Sequence, residues 1–372
     1  MSTAGTPQTD TPGASDIAAR LREAGFVRLV AAGTGDGVAA AGLLADAMDR
    51  QRVAYQTSVV PLPDAGGRAT SADLTVALDR PATDADLTLG TDGDPASVAT
   101  FAVARELASD TEAALPETVA VLALAGPLGV GREPDERVLA AADLERRPGV
   151  AVPVADTAAG LAHSTLVHAP FSGSVPDTRE RLAGLPDDRA IASAAALAVA
   201  GDEAGVPRGA EAVEQLLRPR VGGPFETVGG YADVLDTLAR EQPGHAVAAA
   251  LGADLSVLDV WRDHAGRAHT AVREAQTGRY DGLFVARCDG QAPVGTVARL
   301  VRDYRSPEPV VLVVADGEAA MLAVPDASAD VGAAVETAAR AVDGEGAGTR
   351  LRGRARFDTE SSAFVLEARE AV

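Results

Sequence analysis

LVAAGTGDGVAAAGLLADAM, residues 29–48, is an apolar run that breaks into glycines and resumes as a run of small apolar side chains. Phe26 to Ala32 predicts a buried β-strand. Gly33-Thr34-Gly35-Asp36-Gly37 predicts a tight turn, and Val38 to Arg50 a helix. Such a strand-to-helix turn presents backbone N–H groups, so Gly33, Gly35 and Gly37 form a candidate phosphate loop. The plainer reading is a tight turn with a helix start. No lysine follows, so the loop is not of the Walker A type. The dinucleotide-binding pattern is matched only in part: Ala39 takes the third small position, and Ser58 and Val59 stand where an acidic residue is wanted.

Outward from this stretch, strands and helices alternate. Ser15 is expected to cap a helix from Asp16 to Glu23. Tyr55–Val60, Asp73–Leu78 and Ala85–Leu89 predict strands; Pro95–Ala108 and Pro116–Ala125 predict helices. That order implies a mostly parallel sheet covered on both faces. Residues from about 135 to 245 are richer in helix. Pro219–Gly230 reads as a connector, and Tyr231–Arg240 as a helix that Pro243-Gly244 ends. A second αβ unit follows, with a helix over Ala248–Gly266, a strand at Gly282–Ala286, a helix over Val294–Tyr304 and the apolar strand Val310–Ala315. Thr349–Ala368 alternates like a strand. The expected division is a disordered tail at 1–14, an αβ domain at 15–200, a helical linker at 201–245 and a smaller αβ domain at 246–372.

Acidic residues number 54 against 33 basic ones, all arginine, for a net charge of -21. A dense carboxylate surface repels itself, and molar salt screens that repulsion by shortening the Debye length to about 3 Å. The composition therefore points to an extreme halophile, with an acidic protein of a high-GC mesophile as the plainer alternative. The acidity argues against nucleic acid only in the net; the local placement of arginine decides. The lone Cys288 excludes a disulfide within the chain and a thiolate metal cluster, and is expected in the core. The polar first residues do not read as a signal peptide, and no apolar run reaches membrane length. A cytoplasmic location, away from membranes, is expected.

Residues 29–48 resemble motif I of the DHH phosphoesterase superfamily, His-x-Asp-x-Asp-Gly-x-x-Ser at the same turn. Asp36 and Gly37 match the final Asp-Gly, while Ala32 stands at the His and Thr34 at the first Asp. VGGYADVLDTLAREQPG (228–244) and GLAHSTLVHAPFSG (160–173) are similar to segments of haloarchaeal RecJ-like proteins. The resemblance covers about residues 16–372 in outline. It implies an α/β fold: a DHH-like parallel-sheet domain, a helical middle segment and a smaller C-terminal αβ domain of the DHH-associated type. It also implies a manganese pair that activates water for attack on a phosphodiester. Asp79, after LTVAL, fits motif II. At motif III, DADLTLG runs into Gly90-Thr91-Asp92-Gly93 without a histidine. At motif IV, Gly129 and Val130 stand where an aspartate belongs. Asp36, Asp79 and Asp92 are thus residual catalytic candidates and ligands for at most one Mn or Mg ion. Solvated loop carboxylates are the plainer reading. The deficit points away from two-metal catalysis, with no cofactor expected.

Two further clusters stand out. His163 and His168, five apart, do not share a helical face; their segment is a candidate interface element, or simply a structural loop. His264 and His269 are expected at the surface. Strand alternation would place Arg350, Arg352, Arg354 and Arg356 on one face, about 7 Å apart, as a candidate nucleic-acid-binding row. The glycine-rich motif with which the family grips single-stranded DNA is not present as such.

The first expectation is a RecJ-like protein of DNA replication or repair, catalytically degenerate, resembling the degenerate fork factor of eukaryotes. It would act as a scaffold that binds the GINS complex, the MCM helicase and single-stranded DNA. The alternative is a Mn- or Mg-dependent single-stranded-DNA exonuclease with an altered metal site. A third reading is a small-molecule phosphate or nucleotide binder using the Gly33–Gly37 loop.

Overall fold

A computed structural model describes residues 13–61, 71–81, 84–90, 95–109, 116–253 and 256–372. Asp92 and most of the expected tail lie outside these residues. The chain begins with helix α1 (Ala14–Glu23), then strand β1 (Phe26–Ala32), helix α2 (Gly35–Gln51) and strand β2 (Ala54–Val60). Strands β3 (Leu74–Leu78) and β4 (Leu87–Leu89) complete a four-stranded sheet of order β2-β1-β3-β4. Every pairing in it is parallel, with Val27 of β1 opposite Tyr55 and Leu74. The apolar run thus becomes the strand paired on both edges, which is why it carries almost no polar side chain.

Helices α3 (Ala96–Ala108) and α4 (Glu117–Gly129) follow. Together with α1, one side of α2 and α3 pack on Val27, Leu29 and Ala31. The other side of α2 meets α4 and α10 (Val228–Glu241). A helix covered on both sides needs small side chains all round, which explains the alanines of α2. The chain between α4 and α10 holds the short helices α5 (Glu136–Ala142), α6 (Thr157–His163), α7 (Val175–Leu182), α8 (Asp188–Ala200) and α9 (Arg208–Ala212). The starts of α6, α7 and α8 carry side-chain caps: Asp156, Ser174 and Asp187 accept from N–H groups one turn on. Helix α10 is buried from Val228 through Ala239.

After α11 (Pro243–Ala250) and α12 (Leu258–Glu274) come β5 (Gln276–Tyr280), β6 (Leu283–Arg287), α13 (Val294–Tyr304), β7 (Val310–Ala315), β8 (Glu318–Ala323), α14 (Val331–Ala341), β9 (Glu345–Thr349), β10 (Arg352–Arg356) and α15 (Ser361–Ala371). Their six-stranded sheet has the order β5-β6-β7-β8-β10-β9, and only β6 and β7 run parallel. Strand β7 is buried throughout. Val311, Val313 and Ala315 enter the core under α13, whereas Val310, Leu312 and Val314 enter the core under α14 and α15. This is period-two alternation between two apolar faces.

Helix α10 stops at Glu241, just before Pro243, and Pro243 itself starts α11, because its missing N–H costs nothing in a first turn. Three local expectations are corrected. Ser15 lies inside α1, whose N-cap is Gly13. The helix expected over 248–266 is two helices, α11 and α12. The end of the chain is a β9–β10 hairpin followed by α15, where Phe364, Val365 and Ala368 bury one helical face. Among the described residues no helix is long and apolar enough to cross a membrane.

Gly230 of α10 packs directly on backbone: an added Cβ would lie 2.3 Å from the backbone of Val152 and Pro153. Gly230→Ala is expected to lower stability by about 1–3 kcal/mol, as overpacking does. Gly244→Ala, with nothing within 4 Å of the added methyl, is expected to leave it unchanged or higher. Denaturant unfolding in molar KCl reads both.

Candidate functional site

The carboxyl ends of β1 and β3 meet the N-terminus of α2, the edge of β10 and the first turn of α13. Between them lies a cleft of about 360 Å³. Clefts at the carboxyl ends of parallel strands are where open α/β sheets bind ligands. Asp36 opens α2 but turns inward and is 1% exposed. Its carboxylate accepts from Ala96 N at 2.7 Å, Ser97 N at 3.1 Å and the Ser97 hydroxyl. It therefore caps α3, whose own N-cap, Pro95, offers no side-chain acceptor. Burial, and next the nearby charge of Asp79, push the Asp36 carboxyl up to about 6.

Asp79 ends β3 in a left-handed conformation, φ 58°. One carboxylate oxygen accepts from the Thr34 hydroxyl and the other from the Arg352 guanidinium. The same Arg352 Nη2 donates to the Asp79 carbonyl at 2.6 Å. A charge from the second sheet thus lands on the carboxylate that the sequence assigned to metal.

Asp236, from α10, accepts from Gly35 N at 2.8 Å and from Arg240 Nε at 3.1 Å and Nη2 at 3.0 Å. Burial opposes its charge, but Arg240, Arg299 and the Gly35 N–H outweigh burial and hold its carboxyl below the ordinary value. Gly37 N donates to the Thr34 hydroxyl at 3.1 Å. Two N–H groups of the Gly33–Gly37 loop are therefore already engaged, one by an internal carboxylate at the α2 N-terminus. Gly33 lines the cleft, as do Gly129 and Val130.

These contacts test the metal assignment. Asp36 and Asp79 each present both oxygens to hydrogen-bond donors, and one donor is a cation. Among the described residues no group of three or more His, Cys, Asp or Glu side chains could hold a metal ion. The described residues do not fit a manganese pair.

The arginine row is broken. Arg350 stands in the turn between β9 and β10, donating to the carbonyls of Ala327 and Pro325 at 3.0 Å each. Arg352, Arg354 and Arg356 share one face of β10, opposite the buried Gly353, Ala355 and Phe357. Arg356 pairs with Glu318 at the exposed end, and Arg354 lines the cleft.

The histidines are internal. His163 lies at the end of α6, with Nδ1 2.9 Å from the Ala159 carbonyl. His168 is buried and meets His269 instead, Nδ1 to Nδ1 at 3.0 Å. His269 Nε2 donates to the Ser164 carbonyl at 3.1 Å, so its Nδ1 accepts from His168. Burial drives the two imidazoles down to about 2 and about 3, so both are neutral. The surface position expected of His264 and His269 is wrong: both are buried, and His264 bridges Glu241 at 2.7 Å and Thr296 at 2.9 Å. Sequence reasoning also missed Asp236, Arg240 and Arg299. The available signal was the pair Asp233 and Asp236 in an otherwise apolar helix. Asp233 accepts from Thr165 N and the Trp261 indole, each at 3.0 Å.

Arg352→Met leaves Asp79 without its counter-charge and is expected to cost about 3 kcal/mol, with Asp79→Asn in the same chain restoring most of it. Denaturant unfolding of the single and double variants measures this. Asp36 is raised from 3.8 to about 6, so between those values the folded chain binds a proton that the unfolded chain does not. Its contribution is full below about pH 4 and is lost as pH rises through about 6, a change of about 3 kcal/mol. Asp36→Asn is expected to flatten the stability profile across that window.

A family model described as "Uncharacterized protein rrnAC1427, C-terminal domain" matches residues 275–370. The uncharacterized protein rrnAC1427 of Haloarcula marismortui is 49% identical over 386 residues, covering 100% of each chain. Among solved structures, CDC45 from Entamoeba histolytica is similar with a TM-score of 0.57 at 8% identity, over 96% of this chain and 98% of that one. RecJ of Thermus thermophilus, in complex with Mn2+, is similar with a TM-score of 0.51 at 14% identity, over 98% of this chain and 55% of that one. The chain thus spans about half the length of that RecJ. With identity this high over its whole length, the chain belongs to the family of rrnAC1427 from Haloarcula marismortui, and its fold is like those of RecJ and CDC45.

Proposed function

We propose that this chain is a cytoplasmic RecJ-like protein of DNA replication or repair that works as a scaffold, without two-metal chemistry. Its partners in this reading are the GINS complex, the MCM helicase and single-stranded DNA, as the resemblance to the degenerate fork factor implies. The observation that carries it is the guanidinium of Arg352 on the carboxylate of Asp79. A divalent cation and a guanidinium compete for the same oxygens. The guanidinium is tethered, so it holds the carboxylate at a high effective concentration that a divalent ion must out-compete, and it activates no water. Asp36, the other motif carboxylate described, is committed to capping α3.

The opposing reading is a Mn- or Mg-dependent single-stranded-DNA exonuclease with an altered site. Incubating pure protein with 5′- and 3′-labelled single-stranded DNA, in molar KCl with millimolar Mn, separates the two. The scaffold reading expects no degradation from either end, and co-elution with purified GINS in size-exclusion chromatography. Degradation that an Asp36→Ala/Asp79→Ala double variant loses would overturn it.

A further inference from the structure

Residues 164–174, between α6 and α7, form a loop that runs through the interior: Ser164 to Ala169 are all buried. Loops usually stay at the surface, because buried backbone needs partners. Here the partners come from several helices. Asp233 of α10 accepts from the N–H and hydroxyl of Thr165. Tyr304 of α13 donates to the Leu166 carbonyl at 2.8 Å, and His269 and Arg273 of α12 donate to the carbonyls of Ser164 and Ser172. The loop thereby ties α10, which packs on α2, to α12 and α13, which join the core under β7.

His168 is the one titratable or charged side chain in this loop. Its pairing with His269 runs one way. His168 Nδ1–H points at His269 Nδ1, and His269 Nε2–H points at the Ser164 carbonyl. His168 Nε2 is left as an acceptor, buried and without a hydrogen-bond partner among the described residues. An added proton has no good place. On His269 Nδ1 it would set two N–H groups against each other, and on His168 Nε2 it would meet no acceptor. The other groups that face the pair are cationic or become so: Arg273 of α12, Arg299 of α13, Arg305 just after it, and His163 at the end of α6. Two carboxylates reach these groups, and both are engaged, Asp233 by Thr165 and Trp261 and Asp202 by Arg305.

We propose that the His168–His269 pair is an acid-sensitive latch: protonation of either imidazole releases loop 164–174 from α12 and loosens the joint between the two sheet domains, each of which stays folded. In the closed joint the imidazoles are held far below their ordinary value of 6.5, and in the open joint they return to it. Closure is therefore undiminished above about pH 7 and is lost as pH falls through the ordinary value. At pH 5 each freed imidazole favours the open joint by about thirtyfold, and the two together by about a thousandfold. Burial raises the Asp36 carboxyl to about 6, so acid favours the folded chain there and the loss at the joint has the opposite sign. The latch holds for a scaffold and for a nuclease alike.

Hydrogen exchange of the full chain in molar KCl at several pH values, corrected for the intrinsic rate, tests the latch. Peptides over residues 160–174 are expected to lose protection by at least about a hundredfold between pH 7 and pH 5, while β1 and β7 keep theirs. His168→Asn and His269→Gln keep an N–H donor without a titrating ring. Each is expected to reduce the pH slope by one proton, and the double variant to flatten it, whatever protection either loses at all pH values. Histidine ¹⁵N spectra of the parent supply a second readout, since the chain has 5 histidines. At pH 6, His168 is expected neutral with its proton on Nδ1 and His269 neutral with its proton on Nε2. Ordinary titration of both rings with loop protection unchanged overturns the latch, as does a pH slope that the double variant retains. Equal loss of protection in β1 and β7 also overturns it, because the acid event is then global unfolding.

Discussion

The contact between Asp79 and Arg352 joins the end of the first sheet to β10, an interior strand of the second, and much of the molecule is arranged around it. Asp79 sits in a left-handed turn at the end of β3, which aims its carboxylate across the cleft. Arg352 comes from β10, whose opposite face is packed into the C-terminal core through Gly353, Ala355 and Phe357. The pair therefore ties the two sheets together across the cleft.

Around that pair, carboxylates act as structural anions. Asp36 caps α3, and Asp236 caps α2 while bound by Arg240. Each places a fixed negative charge at a helix N-terminus, where the backbone dipole favours it. Oxygens occupied by N–H groups and guanidinium groups are poor ligands for a divalent ion. The same side chains that suggest metal chemistry in the sequence thus hold helices and domains in place in the fold.

The charge distribution follows a related logic. A surface crowded with carboxylates keeps the chain hydrated, and its self-repulsion is screened by salt. Inside the cleft, lower dielectric strengthens each pairing of arginine with carboxylate. A net charge of -21 therefore does not describe the local electrostatics there.

The sequence by itself determined the elements with strong periodicity. The apolar run 26–32, the glycine turn and the small-residue helix after it are legible because each is dictated by local burial and backbone geometry. The same holds for Val310–Ala315 and for the buried face of β10. The absence of family histidines was also readable, since it needs only residue identity. Only the tertiary structure decided which charges meet. Asp36 pairs with the start of α3 sixty residues on, Asp79 with an arginine 273 residues away, and His168 with His269 instead of His163. His264 and His269 looked exposed because polar side chains usually are, yet helix packing encloses both and supplies their partners. Spacing along a chain specifies which side chains share an element. It does not specify which element the fold brings opposite, and a buried carboxylate becomes a cap, an ion-pair partner or a ligand according to that neighbour.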